Sequence, residues 1–116
     1  MKDNIVKEKS FLFAINSIDL YKAIIEQKEF ILSKQFLRSA TSTGANIEEA
    51  TAGFSRKDFI NKLAIASKEA RETHYWLRLL EHYHKEINFT AIKSDCEELI
   101  KILTSIISTS QENIKN

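Results

Sequence analysis

The chain has 116 residues, 43% of them hydrophobic and 28% charged, with 17 Lys and Arg against 16 Asp and Glu. That is enough for one domain over residues 1–116 and too little for two, and a net charge of +1 with an ordinary apolar share argues against disorder. No Pro and only two glycines, Gly44 and Gly53, leave too few turn residues for a β-rich chain, so few, long elements are expected.

The first helix is predicted from about Ser10 to Gln27, where Phe11, Ala14, Ile18, Tyr21 and Ile25 recur in steps of three and four. The second is predicted from Leu32 to Ala52, with Phe36, Ala40, Thr43, Ile47 and Ala50 on its core face. Gly53 follows as a residue able to turn left-handed and stop it. Within this helix Ala40, Thr41, Ser42, Thr43, Gly44 and Ala45 are all small, which suits close approach of another helix. Ser55 fits the N-cap of the third helix, with Asp58 favouring its positive end. That helix runs from about Arg56 to His84, burying Phe59, Leu63, Ala66, Ala70, Thr73, Leu77 and Leu80. The fourth is predicted from Thr90 to about Ser110 on Ile92, Cys96, Leu99, Leu103 and Ile106, with a polar, fraying end beyond it. Four amphipathic helices on short links predict an all-α, antiparallel up-down-up-down four-helix bundle.

A single Cys96 cannot close an internal disulfide, no signal-peptide pattern opens the chain, and no apolar run is long enough for a membrane span. The expected compartment is the cytoplasm. Apolar side chains lie beside the core stripes as well. Ile100, Ile107 and Ile114 recur at sevens, and Ile65, Trp76 and Leu79 flank the third helix. So much apolar surface predicts a homo-oligomer with Ile65, Trp76, Leu79, Ile100 and Ile107 at its interface.

At 100° per residue, the face of the third helix opposite its core carries Lys57, Asn61, Ala64, Lys68, Arg71, Tyr75, Arg78, His82 and Lys85. It holds no carboxylate. Like charges on one face repel unless an anion sits there, and phosphate backbones are the obvious anion. Tyr75 among the cations is placed to stack on an unpaired base. Lys34 and Arg38 on the second helix, with Arg56, extend the candidate RNA- or DNA-binding patch. The alternatives are a solvated face, or cations paired with carboxylates of another helix or subunit.

Catalytic patterns are sparse, and no metal or cofactor is expected. Glu81 and His84 have the spacing of one di-iron ligand pair, but a bundle site needs two. Glu69 with Glu72, followed by Asp95 with Glu98, resembles the carboxylates that hold Mg²⁺ in all-helical nucleotide pyrophosphatases. Arg78 with His84 is similar to the Arg/His pair of small metal-free helical ribonucleases, where His shuttles a proton. A small hydrolase of either kind is therefore the alternative to a non-enzymatic scaffold.

A family likeness spans roughly Lys9 to Leu80. It is carried by Lys9-Ser10-Phe11 with Phe13-Ala14, Gln35-x-Leu37-Arg38-Ser39, Thr41-Ser42-x-Gly44-Ala45-Asn46-Ile47-x-Glu49-Ala50 and Ser55-x-Lys57-Asp58-Phe59. The third helix adds Lys62-Leu63-x-Ile65-Ala66-x-Lys68-Glu69-Ala70-x-Glu72-Thr73-x-Tyr75-Trp76-Leu77-x-Leu79-Leu80. These resemble the four-helix bundle proteins encoded within intervening sequences of 23S ribosomal RNA genes. That family is similar in turn to the accessory variability determinant of diversity-generating retroelements, a strongly basic bundle thought to engage nucleic acid and reverse transcriptase. The resemblance implies an up-down bundle, a ring-like homopentamer and no catalytic activity. Asn46 and Glu49 match its motif; at i and i+3 they are spaced for a polar contact to a neighbouring helix.

Overall fold

In the computed structural model the described residues are 2–53 and 55–115, with side chains from Ile5 to Gly53 and from Ser55 to Asn113. Four helices account for nearly all of them: α1 (Lys2–Glu26), α2 (Leu32–Thr51), α3 (Arg56–Tyr83) and α4 (Thr90–Lys115). α1 packs on α2 and α4, α3 packs on the same two, and the diagonal pairs keep their backbones apart. With short links between successive helices, this is the expected up-down-up-down bundle, elongated at 51 × 21 × 20 Å. Among the described residues no helix is long and apolar enough to cross a membrane.

Local chemistry sets the helix ends. Ser55 Oγ accepts the Asp58 N–H at 3.1 Å, the N-cap read from sequence. Asn88 Oδ1 does the same for Thr90 at 2.9 Å. α2 starts differently, because the Glu29 carboxylate accepts N–H groups from Ile31 at 2.7 Å and Leu32 at 2.6 Å. Gly53 does not turn left-handed; among the described residues only Lys28 does, at φ 63° in the α1–α2 link. Gly53 is needed for space instead, since a Cβ there would lie 3.1 Å from the Ala50 carbonyl oxygen. Both terminal helices outrun their predicted limits. α1 begins about two turns before Ser10 and α4 continues past Ser110. Val6 is 2% exposed, so packing on the core holds the first turns of α1. Beyond Ser110 the helix continues with Gln111, Glu112 and Asn113 exposed.

The core faces of α2, α3 and α4 are those the periodicity indicated. Phe36, Ala40, Thr43, Ile47 and Ala50 are buried, as are Leu63, Ala66, Ala70, Thr73, Leu77 and Leu80, and Ile92, Cys96, Leu99, Leu103 and Ile106. Phe59 is half-buried, and Ile60 and Ser67 join the α3 core.

α1 is turned about 100° from the expected face, one residue step round the helix. Val6, Ser10, Phe13, Ser17 and Ile24 point inward, while Phe11 is 64% exposed and Ile18 39%. The cause is steric. A Cβ at Gly44 would sit 3.4 Å from the Ser10 carbonyl oxygen, so α1 and α2 approach closely there. Ser10 is the inner-face residue of α1 at that seam, with Phe13 buried one turn further on. Ser10 Oγ donates to the Lys7 carbonyl at 3.0 Å, whereas buried Ser17 Oγ has no partner. Ser17→Ala should therefore raise unfolding free energy by up to about 1 kcal/mol in urea melts, since an unpaired buried hydroxyl only costs.

Two sulfur and hydroxyl contacts tie α3 to its neighbours. Thr73 Oγ1 donates to Ser39 Oγ of α2 at 2.8 Å, and Cys96 Sγ of α4 donates to the Ala70 carbonyl at 3.3 Å. Burial, with the charges of Glu97 and Asp95, pushes the Cys96 thiol up to about 12, so it is inert at ordinary pH.

Candidate nucleic-acid interface

α3 is the corner of the bundle diagonal to α1, and its outer face is open along its whole length. Lys57, Asn61, Ala64, Lys68, Arg71, Tyr75, Arg78, His82 and Lys85 are all exposed. At 1.5 Å per residue the run from Lys57 to His82 spans about 38 Å. Arg78 lies over the Tyr75 ring at 5.7 Å from its centroid, and Tyr75 meets Trp76 edge-on at 5.2 Å. Between these contacts the phenol ring stays 48% exposed. His82 packs edge-on against Tyr83 at 4.8 Å.

Cations at the helix seams are paired, and those on the outer face of α3 are not; Lys22, Lys34 and Lys101 elsewhere on the surface also form no salt bridge among the described residues. Where helices meet, Lys and Arg have carboxylate partners on the adjacent helix. Lys7 reaches Glu48 at 3.5 Å, Lys9 Glu98 at 3.2 Å, Lys62 Glu49 at 3.3 Å and Lys93 Glu81 at 2.8 Å. On the outer face of α3, Lys57, Lys68, Arg71, Arg78 and Lys85 form no salt bridge among the described residues. Arg71 makes one weak hydrogen bond, to Thr104 Oγ1 at 3.5 Å. Lys68 lies near enough to Glu72 to help lower its carboxyl pKa, without forming a salt bridge to it.

The proposed extensions differ. Lys34 is exposed on α2, and Arg56 lies 5.7 Å from the Phe59 ring centroid at the start of α3. Lys85 sits past the helix end in a shallow depression of ≈ 310 Å³ that it shares with Glu81 and Glu86, which offset its charge. Arg38 is not free. It bridges to Glu69 at 3.3 Å and to Glu72, whose Oε2 also accepts Trp76 Nε1–H at 2.9 Å. This clamp was not legible beforehand, because nothing in the sequence aims Arg38 across the α2–α3 seam. The Trp76 hydrogen bond and the Arg38 guanidinium hold the Glu72 carboxyl below the usual carboxylate range. A depressed folded pKa means that its stabilisation is present at neutral pH and lost as pH falls through that lowered value. The stability gap between wild type and Glu72→Gln should accordingly narrow as urea melts are moved from about pH 7 to about pH 3.

The catalytic alternatives come apart in three dimensions. Glu69 and Glu72 turn to Arg38 on α2, while Asp95 and Glu98 border a small groove with Lys9 and Asn16 of α1. They share no cleft. Arg78 stacks on Tyr75, and His84 Nδ1 lies 3.4 Å from Glu86, on a different side of the helix end. Glu81 pairs with Lys93, so it and His84 do not act together. His74 Nε2 meets Glu97 at 2.8 Å across the α3–α4 seam, which lowers the Glu97 pKa. Among the described residues no three His, Cys, Asp or Glu side chains converge on a metal position.

The expected oligomer face is also divided. Trp76, through Glu72 and Arg38, belongs to the α2 side of α3, together with Leu79 and Ile65, the last 42% exposed. Ile100 and Ile107 rest half-buried against the core on α4, toward the other flank of α3. Ile114 lies outside the described side chains. Exposed apolar residues lie instead on α1, at Ile5, Phe11, Leu12, Ile15 and Ile18, and in the α1–α2 link, at Phe30 and Ile31. Of these, Phe11 and Ile18 belong to the core stripe that the periodicity predicts. Glu49 does reach a neighbouring helix, at Lys62, but Asn46 turns back to Ser42 of its own helix at 2.9 Å.

The fold and this face define the class: a four-helix bundle whose one corner helix presents an unpaired cationic surface. The family model of the 23S rRNA-intervening sequence protein matches residues 2–105, and the chain belongs to that family. A solved structure of a protein of unknown function, from the S23 ribosomal protein family of Bacteroides thetaiotaomicron VPI-5482, is similar throughout. It is 54% identical, with a TM-score of 0.89 over 93% of this chain and 99% of that one. No curated protein matches the chain.

Proposed function

We propose that this chain is a non-enzymatic scaffold of the cytoplasm that binds RNA or DNA through the outer face of α3 and does so as a homo-oligomer. The observation that carries the reading is the pairing pattern. Cations at helix seams have carboxylate partners, and those on the outer face of α3 do not. Lys57, Lys68, Arg71 and Arg78 supply phosphate contacts, and Tyr75 a stacking platform between them. A near-neutral total charge limits long-range attraction, so each stripe binds weakly and several stripes in one assembly bind by avidity. The resemblance to ring-forming relatives suggests five subunits for that assembly.

The test is a titration of labelled single-stranded RNA, single-stranded DNA and duplex at low salt. Binding with little dependence on sequence is the expected result. No binding to any of the three would make the stripe a solvated or protein-docking face.

A further inference from the structure

Two apolar patches lie on different sides of the bundle. On α1, Phe11, Ile15 and Ile18 are exposed, and Phe11 lines a shallow groove with Thr41, Gly44 and Ala45 of α2. On α3, Ile65 is exposed and Trp76 and Leu79 are half-buried, Trp76 being tied through Glu72 to Arg38 of α2. At 100° per residue, each patch is turned about 40° from directly outward, and in both cases toward α2. Because α1 and α3 hold diagonal corners, the two patches face directions about 100° apart. They also stand at one level. Ser10 approaches Gly44, and further along α2 Ser39 Oγ accepts from Thr73 Oγ1. Since α1 and α2 run in opposite directions, Ile15 is level with Ser39 and so with Thr73. Ile15 is the middle of one patch, and Thr73 marks the middle of the other.

We infer that the α1 patch of each chain docks on the α3 patch of the next copy, closing a ring in which every chain uses both patches. Rotation about a ring axis leaves height unchanged, so two patches at one level are what a closed ring requires. The contact sets Ile18 beside Trp76 of the next copy, Lys22 beside its Leu79, and Phe11 about one turn from its Ile65. The angle sets the size of the ring. Seen from one member, the two neighbours in a five-membered ring lie about 108° apart, close to the angle between the patches. A twofold pair would use one patch on both copies and leave the other in water. Area argues the same way. Between Glu8 and Lys22 the α1 patch is about 20 Å long and about 10 Å wide, small beside the roughly 800 Å² per partner of a stable dimer. In a closed ring, releasing one chain breaks two such contacts together. α2 then faces the ring axis. The cationic stripe leans toward α4, where Arg71 reaches Thr104, so it stays open on the outer wall. The inference rests on the self-association in the reading above and is separate from nucleic-acid binding.

Sedimentation equilibrium of the full chain at micromolar concentration should report five times 13.4 kDa. Lys22→Cys and Leu79→Cys probe the contact itself, with buried Cys96 not competing. Without reductant neither variant alone should cross-link, whereas the two refolded together from urea should give a disulfide-linked pair of chains. Ile15→Asp and Ile65→Asp, each at a side chain 42% exposed in the single chain, should each lower the mass to one chain and keep the helical circular dichroism. A cross-link in either cysteine variant alone, none in the mixture, or a five-chain mass in both aspartate variants would each overturn the proposal. With a five-chain wild type, those failures leave the self-association reading standing. A one-chain mass for the wild type would overturn both.

Discussion

Phe13→Ala should lower unfolding free energy by about 3–5 kcal/mol, whereas Phe11→Ala should change it by less than about 0.5 kcal/mol. Phe13 is 2% exposed in the centre of the bundle, and its removal leaves a cavity that four close-packed helices cannot refill. Phe11, two residues back, has most of its ring in water and little to lose. Urea melts at submicromolar protein keep self-association out of the comparison. The opposite ranking would mean that α1 faces the core with Phe11, Ile18 and Ile25, as its periodicity alone suggests.

That pair of residues shows where the sequence was readable and where it was not. α2, α3 and α4 each have one apolar arc and one polar arc, so spacing alone orients them. α1 has apolar residues on two arcs, Val6, Phe13 and Ile24 on one and Phe11, Ile15 and Ile18 on the other, and spacing cannot choose between them. The choice is made by a tertiary contact, the close approach of Ser10 to Gly44, which involves two helices at once. The small-residue run on α2 marks a seam, but nothing local says which residue of α1 meets it. The cationic face of α3 was legible for a related reason. It needs only helical geometry and the absence of acids, and both are local. Arg38 illustrates the limit, because the carboxylates that claim it come from a different helix.

Tyr75→Ala should weaken single-stranded RNA or DNA binding by about 1–3 kcal/mol and duplex binding much less. The ring is in contact with Arg78 and Trp76 and 48% exposed, so it can meet a base with little ordering cost. Bases in a duplex are already stacked and offer only phosphates to this surface. Tyr75→Phe should retain most of the affinity, since stacking needs the ring and not the hydroxyl. Equal losses on single strands and duplex after Tyr75→Ala would assign the residue to packing beneath Arg78. Because Tyr75 is exposed, the melting behaviour of the variant should stay close to wild type.

Whether the unpaired cations of α3 meet phosphates is read from the salt dependence of binding. Each phosphate neutralised releases counterions, so the slope of log affinity against log salt counts the contacts. Lys68→Gln with Arg71→Gln removes two adjacent cations that face away from the core and hold no carboxylate. For each subunit engaged, the slope should fall by about 1.4 units on a single strand and about 1.8 on duplex, with the fold unchanged. An unchanged slope, with the double variant binding as wild type does, would contradict the account.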